Sequence, residues 1–505
     1  MIYLGLDNKE EIAMIFLDLS KAYDRVCHKR LLYKLDKMGI KGRLFDWIRS
    51  YLSGRSQRVV LSGFASEFMF TFGSLPQGSI LAPLLFLIFL NDIESGIQSN
   101  ISLFADDVAL LQTFKNCNDL EQTLNNDLNL LNNWALKWGM EFNPLKTEIM
   151  LFSNNKIKSK PNLTFKGIIL KQVPSHKHLG VHLSEDMHWT THINSCVRRV
   201  NKKLGQLRRN SYKLKVQQMV DIYKSMIRPI LEYGSVLIDN CSTIDSLKLQ
   251  KCQRTAALIC TGAMRRTESK LLMDYLGWES LQDRRKLLKL STFYKIVHKT
   301  APPYLHKFAV IAEPSNHSLR NRSLFHIERI NCRLVSYKKS FIPSTIAVWN
   351  TLPDSIQNSN KLLTFKIKIR KHFNIDKQAD PSMLYHSHGG FFGKVLNQMK
   401  FKLSPLKAHL FGYNMTDNPF CPGCGEEVES THHFFLTCKT YVTPRQQLLD
   451  NMQCLYSSPI SNDEILNLII FGSTCKNIND CIPLNKLIFG YTCMYFYATK
   501  RFGSF

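Results

Sequence analysis

Apolar residues run almost unbroken through EIAMIFLDLS, from Ile12 to Leu19, the pattern of a buried strand, and the run carries a carboxylate, Asp18, at its end. The next stretch, HKRLLYKLDKMGIKGRLFDWIRSYLSG, repeats with the helical period. Leu31, Leu35 and Met38 share one face before Gly39, and Leu44, Ile48 and Leu52 share the next before Gly54, which predicts two amphipathic helices. QRVVLSG and FMFTFGSL read as a hairpin, and PQGSILAPLLFLIFLNDI as a loop entering a largely buried helix with Pro83 in its first turn. In SNISLFADDVALLQTF, apolar residues on both sides of Asp106 and Asp107 predict two short strands that meet at the acidic pair. Leu120, Leu124, Leu128, Leu131 and Trp138 then form one helical stripe, with Asn118 as candidate N-cap and Gly139 as stop. MEFNPLKTEIMLFS, LTFKGIILKQV and HKHLGVHLSE are strand-like, so the order up to about residue 185 is α+β rather than a strict βαβ repeat.

From residue 190 the pattern turns helical and basic. Between residues 195 and 230 ten lysines and arginines face a single acid, Asp221, and alternate with Val197, Val200, Leu204 and Leu207, giving a core face and a cationic face. Helical periodicity continues to about residue 300, clearest in SLQDRRKLLKLSTFYKIVHK, and APPYL ends it. Residues 301–410 are less periodic, with EPSNHS and KQADPSMLYHSHGG composed like loops or linkers, and no internal repeat is evident.

Composition narrows the class of partner. The 505 residues, 44% of them hydrophobic, suffice for two to four folded domains. Lysine plus arginine number 66 against 40 for aspartate plus glutamate, a formal charge of +26, which implies a polyanionic partner. The longest apolar run, Ile80 to Leu90, contains Pro83 and is too short to span a membrane. MIYLGLDNKEEIAMIFLDLS lacks a basic leader and a small-residue cleavage site, so it is not a secretory signal and the chain reads as beginning inside a domain. Without secretion, the 14 cysteines are expected to be reduced thiols plus one metal site, in nucleus or cytoplasm.

The adjacent carboxylates Asp106 and Asp107 allow two readings. An acidic turn is ordinarily solvated, because Asp favours turns; held in a less polar place, two like charges need a cation. Three features stand together: Asp18 at a strand end, Asp106 and Asp107 at a hairpin tip, and the small-residue loop LPQGS, Leu75 to Ser79, between them. FLDLSKAYDRVCH, LPQGSILAPLLFLIFLNDI and FADDVAL, in that order and spacing, closely resemble the reverse transcriptases of non-LTR, LINE-type retrotransposons. The resemblance extends through NPLKTEIMLF and HLGVHL, covering about residues 1–190, and continues more weakly to the end.

That resemblance implies a polymerase palm, an antiparallel sheet packed on helices, in which Asp18, Asp106 and Asp107, with the Leu19 carbonyl, hold two magnesium ions for nucleotidyl transfer to a primer 3′-hydroxyl. Hard cations call for such oxygen ligands. By the same resemblance Tyr23 excludes a ribose 2′-hydroxyl and so selects deoxynucleotides, Gln77 and Gly78 contact nucleotide and template, and Lys146 orients the leaving pyrophosphate. From the residues alone, Tyr23 reads first as a core aromatic and PQGS as only a turn, while Lys146 reads equally as an exposed lysine.

A second candidate site lies in CPGCGEEVESTHHFFLTC. Cys421, Cys424, His433 and Cys438 follow C-x2-C-x8-H-x4-C, a strong zinc signal, with His432 as alternative to His433. Four protein ligands make such an ion structural, and the segment resembles the zinc knuckle found downstream of these polymerase domains, a module for RNA or target DNA. His176, His178 and His182 are expected on a strand surface.

The expected organisation is a palm and primer-grip hairpin over 1–190, a helical basic thumb and extension over 191–300, a connecting region over 301–410, a zinc knuckle over 411–445 and a helical tail over 446–505. Only about ten residues precede the first strand, so the fingers are expected to be largely missing and the chain to be amino-terminally truncated. The functional expectation is an RNA-directed DNA polymerase acting with RNA template, DNA primer or target and deoxynucleoside triphosphates, without a membrane. The alternative is a catalytically inactive nucleic-acid-binding remnant; a third reading is a scaffold without nucleic acid. No oligomeric state is legible.

Overall fold

The computed structural model describes residues 1–71, 73–155, 159–312, 325–380, 382–386, 391–473 and 478–502. The chain forms two compact units, Met1–His192 with Asn331–Lys338, and Ile193–Ile330 with Lys339–Phe505.

In the first unit, α1 (Ile2–Asp7) leads into β1 (Glu11–Asp18), followed by α2 (His28–Lys37), α3 (Gly42–Leu52) and α4 (Leu81–Leu90). Then come β2 (Asn100–Phe104), β3 (Asp107–Phe114), α5 (Cys117–Trp138), β4 (Glu148–Phe152) and the two-residue β5 (Lys171–Gln172). The sheet order is β5-β4-β1-β3-β2, antiparallel except for the β5–β4 pair. Strand β1 is central and apolar on both faces because both faces are covered. Ala13, Ile15 and Leu17 join the core made with Leu31, Leu35, Phe86, Phe89 and the α5 stripe Leu120, Leu124, Leu128, Leu131 and Trp138. Ile12, Met14 and Phe16 face the other way and pack with Leu6, Ala109, Met150 and Phe152.

Local signals explain most boundaries and some departures. Helix α5 stops at Gly139, which takes the left-handed conformation (φ 74°). It starts earlier than expected: the Asn116 side chain, not that of Asn118, caps it by accepting from the Asn118 N–H at 3.1 Å. Met38 and Leu44, expected on buried stripes, are exposed. On α2 the inward place is taken by Lys34, whose ammonium lies 3.8 Å from the Trp138 ring centroid and bonds Asp92 Oδ1 at 2.5 Å. Pro83 does stand in the first turn of α4, but Leu84 and Leu87 on that helix face solvent. The expected hairpin is present as the pairs Ser56–Gln57 with Met69–Phe70 and Val60–Leu61 with Phe64–Ala65.

The second unit is helical. Its longer helices are Thr243–Thr261, Leu281–Val297, Leu362–His372, Val442–Gln453 and Ile478–Thr499. One core gathers Phe293, Trp349 and Phe365; another gathers Phe434, Phe435, Tyr495 and Phe496 around Cys421 and Cys438. The described residues of 301–410 are more helical than their weak periodicity suggests, with helices Phe341–Trp349, Leu362–His372 and Phe391–Lys400, each too short to repeat an apolar stripe many times. EPSNHS lies outside the described residues, as do residues 381 and 387–390 of KQADPSMLYHSHGG, within which Ser382–His386 is helical. Among the described cysteines Cys481 is disulfide-bonded, contrary to the expectation of reduced thiols plus one metal site, and twelve are not in disulfides.

Candidate active site and metal centre

Backbone pairing builds the acidic site. Along the β1–β3 register, Phe16 faces Ala109, Leu17 faces Val108 and Asp18 faces Asp107. Directly opposed residues in an antiparallel pair project to the same face. Asp18 and Asp107 therefore extend the row that begins with Phe16 and Ala109, on the side of the sheet away from α5. On the other side of β3, Asp107 faces Phe104, and Ala105 (φ 51°) and Asp106 make the connecting turn. Asp106 and Asp107 are exposed and Asp18 is half-buried.

Two further segments reach this end. Leu19, itself buried, bridges Phe142, with the Asp18 carbonyl accepting from the Asn143 N–H at 3.0 Å and the Ser20 N–H donating to the Glu141 carbonyl at 2.8 Å. This bridge carries Lys146 to the site, where its ammonium lies 3.2 Å from Asp18 Oδ2. One cation among three carboxylates lowers their mutual repulsion without cancelling it. The three acidic side chains are gathered at one end of the sheet but do not form a tight donor set. Among the described residues, only the cysteine and histidine cluster described below brings three or more ligand atoms all within 4.8 Å of one another.

Tyr23 and the LPQGS loop sit together. The Leu75 N–H donates to the Tyr23 carbonyl at 2.9 Å, and the Tyr23 ring stacks on Phe86 of α4 with centroids 4.6 Å apart. Tyr23 is thus half-buried against the core, which supports its reading as a packed aromatic and also fixes the ring rigidly. Gln77 donates to Asp24 Oδ1 at 3.3 Å, and Gly78 takes φ 85° with open space around the position of a Cβ. A turn of that sign is what glycine permits.

Two of the histidines expected on a strand surface stand on a strand and are half-buried there. In the hairpin Ser175–His178 with Val181–Ser184, His176 stacks on Phe16 at 3.8 Å and its Nδ1 is 2.8 Å from Glu148 Oε2. His178 lies 5.3 Å from the same ring; burial lowers its pKa, and the charge of Asp107 opposes that shift. The H-x-H spacing was the available signal, since alternate strand residues share a face.

The second site is assembled locally. Cys421, Cys424, His433 and Cys438 bring their ligand atoms within 4.8 Å of one another, and His433 rather than His432 completes the set. Cys421 Sγ lies 3.8 Å from Cys438 Sγ, and Cys424 Sγ lies 3.4 Å from His433 Nε2. Tetrahedral ligands with Zn–S near 2.3 Å and Zn–N near 2.0 Å would be separated by about 3.5 to 3.8 Å, so the donors fit that ion. Gly425 (φ 72°) makes the tight turn after Cys424, its N–H donating to the Cys421 carbonyl at 2.7 Å. Glu427 Oε2 holds His433 Nδ1 at 2.8 Å, which directs Nε2 toward the thiols. Backbone N–H groups of Glu427 and Glu426 bring the Cys424 thiol down to about 7, whereas burial pushes Cys421 up to about 11.

A cationic surface completes the picture. On helix α6 (Thr190–Asn210), Val200, Leu204 and Leu207 are buried while Arg198, Arg199, Lys202, Arg208 and Arg209 are exposed; Val197 is half-buried. No helix among the described residues is long and apolar enough to cross a membrane.

Residues 5–183, which contain the whole acidic site, match the family described as reverse transcriptase (RNA-dependent DNA polymerase). Over these residues the chain is similar to reverse transcriptases. The chain is 32% identical over 241 residues to the RNA-directed DNA polymerase from mobile element jockey of Drosophila funebris, a match covering 46% of this chain and 26% of that protein. It is 24% identical over 454 residues to the 115 kDa protein in type-1 retrotransposable element R1DM of Drosophila melanogaster, covering 88% of this chain and 41% of that protein. It is also 26% identical over 263 residues to the Pol polyprotein from type-1 retrotransposable element R2 of Popillia japonica, covering 48% and 41%. These relatives are proteins of mobile and retrotransposable elements, and the chain spans well under half the length of each.

Proposed function

We propose that this chain is an RNA-directed DNA polymerase that extends a primer 3′-hydroxyl along an RNA template with deoxynucleoside triphosphates. The observation that carries the reading is the register that sets Asp18 opposite Asp107 within the residues similar to reverse transcriptases. Asp18, Asp106, Asp107 and the Leu19 carbonyl would hold two magnesium ions, whose chemistry when bound would be activation of the attacking hydroxyl and neutralisation of charge on the leaving pyrophosphate. The exposed position of Asp106 and Asp107 suits donors that must share their cations with an incoming substrate.

Around them the chain's own residues bind and orient. Tyr23, immobilised on Phe86, supplies a rigid wall against a 2′-hydroxyl, and Gln77 and Gly78 offer an amide and an open backbone to nucleotide and template. Lys146 adds positive charge beside the pyrophosphate position. The sheet unit acts as palm, the α6 region as a thumb that grips phosphates, and the Cys421, Cys424, His433 and Cys438 site as a structural zinc knuckle that contacts RNA or target DNA.

Primer extension on an RNA template with magnesium tests this. Incorporation by the wild type and its loss in Asp106→Asn is the expected result. Tight binding of template with no incorporation by the wild type would replace the polymerase with a nucleic-acid-binding remnant.

A further inference from the structure

The hairpin spanning Ser56–Gln57 to Met69–Phe70 exposes apolar side chains on both of its faces. Phe64 is 83% exposed and Phe70 70%, and Val59, Val60, Leu61, Phe68 and Met69 are all more than half exposed. A soluble chain rarely leaves so continuous an apolar surface to water unless a partner covers it. The neighbouring face of α3 adds Trp47 and Tyr51, one turn apart, with ring centroids 6.3 Å apart and nearly parallel planes.

The cations on this surface point to the partner. Residues 41–71 carry five lysines and arginines and two acids, and one acid, Asp46, is paired with Arg49 at 2.7 Å. Arg55 lies 4.5 Å from the Tyr51 ring centroid and Arg58 4.6 Å from that of Phe68. Flat rings and guanidinium planes side by side, with excess positive charge, match a polyanion that displays π-faces. Single-stranded nucleic acid has both properties, whereas a duplex hides its base faces in the stack. An apolar protein partner would leave the arginines uncompensated.

The surface is also joined to the candidate active site. The Tyr51 hydroxyl donates to Ser79 Oγ at 2.6 Å, directly after Gln77 and Gly78. We propose that Trp47, Tyr51, Arg55, Arg58 and Phe68 form a stacking platform for single-stranded RNA beside the Gln77–Gly78 loop. In the polymerase this is the unpaired template next to the site, so the placement rests on the proposed function while the binding does not.

Two measurements on the full chain test the platform. In fluorescence anisotropy with a labelled oligouridylate and a blunt RNA duplex, Trp47→Ala combined with Arg58→Ala weakens single-strand binding by roughly tenfold or more and leaves duplex binding unchanged. Arg58→Lys, which keeps the charge and the fold but removes the planar group, gives a smaller loss of the same selectivity. An oligodeoxyuridylate arm shows whether the platform accepts single strands generally or favours RNA. Unchanged single-strand binding overturns the proposal, as does an equal loss for strand and duplex. A Phe68→Ser variant that alters sedimentation but not single-strand affinity also overturns it, in favour of a protein interface.

The second measurement is primer extension on templates with short and long overhangs. The platform variant slows only the long-overhang reaction; equal rates on both overturn the platform and leave the polymerase standing. Absence of extension by the wild type removes the polymerase reading, and the anisotropy comparison then decides the platform alone.

Discussion

Asp18 and Asp107 come from distant parts of the chain and meet because two strands pair, whereas Cys421 and Cys424 meet within one tight turn. The acidic site is open, with exposed carboxylates that repel one another and a lysine leaning on one of them. The cysteine and histidine site is closed: Cys421, Cys438 and His433 are buried, their ligand atoms already converge, and Phe434 and Phe435 anchor the following turn in an aromatic core. On the proposed function, the difference has a physical reason. A site that exchanges substrate with every turnover keeps its donors loose and draws precision from rigid strands behind them, while a site that only holds structure converts ligand convergence into folding energy.

The sharpest way to break this comparison is to remove one ligand from each site. Cys438→Ser should abolish bound zinc and melt the core around Phe434, Phe435 and Tyr495, because structural zinc contributes on the order of 10 kcal/mol in small modules. Zinc content by atomic emission and thermal unfolding report this. Asp107→Asn should abolish incorporation while leaving the melting temperature unchanged or slightly raised, since it relieves repulsion with Asp18. A folded, zinc-free Cys438→Ser protein would erase the distinction.

Acid should separate the two units next. His386 is fully buried; its Nε2 lies 2.7 Å from the Ile470 carbonyl and its Nδ1 2.9 Å from the Tyr275 hydroxyl, and burial lowers its pKa to about 4. Between pH 6.5 and about 4 the unfolded chain therefore takes up a proton that the folded chain refuses. Stability is intact above this window and declines as pH falls through it, by about 3 kcal/mol in all. Urea unfolding of the helical unit at several pH values should show this slope in the wild type and lose it in His386→Gln, whatever the absolute stability of the variant.

A smaller effect tests the support of the closed site. Glu427→Gln keeps all four ligands but weakens the hold on His433 Nδ1, and zinc affinity should fall about 10- to 100-fold in a chelator competition. An unchanged affinity would mean that packing alone orients the imidazole.

How much of this was legible in the sequence follows from the range of the signal. The Cys-x2-Cys spacing encodes its own geometry, and the choice of His433 over His432 needed only the direction of one turn. Asp18 at a strand end and Asp106 with Asp107 at a hairpin tip could be read from apolar patterning, and the family resemblance linked them, yet the pairing of Asp18 with Asp107 is a property of register that no single segment carries. The histidines at 176 and 178 stand on a strand as expected, but their partial burial against Phe16, a residue of another strand, is not carried by the local pattern. Met38 and Leu44 fitted a helical stripe but lost their places to tertiary packing, in which Lys34 finds an aromatic and carboxylate cage inside. In 301–410 the helices are short, so periodicity had too few turns in which to show itself.

The smallest predicted effect concerns the helix that braces the open site from behind. Asn116 accepts from the Asn118 N–H at 3.1 Å, satisfying one of the donors that the first turn of α5 leaves unpaired, whereas Asn118 stands inside the helix. Asn116→Ala should therefore destabilise the sheet unit by about 1 kcal/mol, and Asn118→Ala should be nearly neutral. Denaturant unfolding of both variants, followed alongside zinc content and primer extension, separates the regions. The cap variant should lower the unfolding midpoint with zinc content and the reaction at low denaturant untouched, because α5 supports β3 through buried leucines and supplies no ligand to either site. A larger cost for Asn118→Ala would place the cap where the bare sequence suggested it and shift the start of α5.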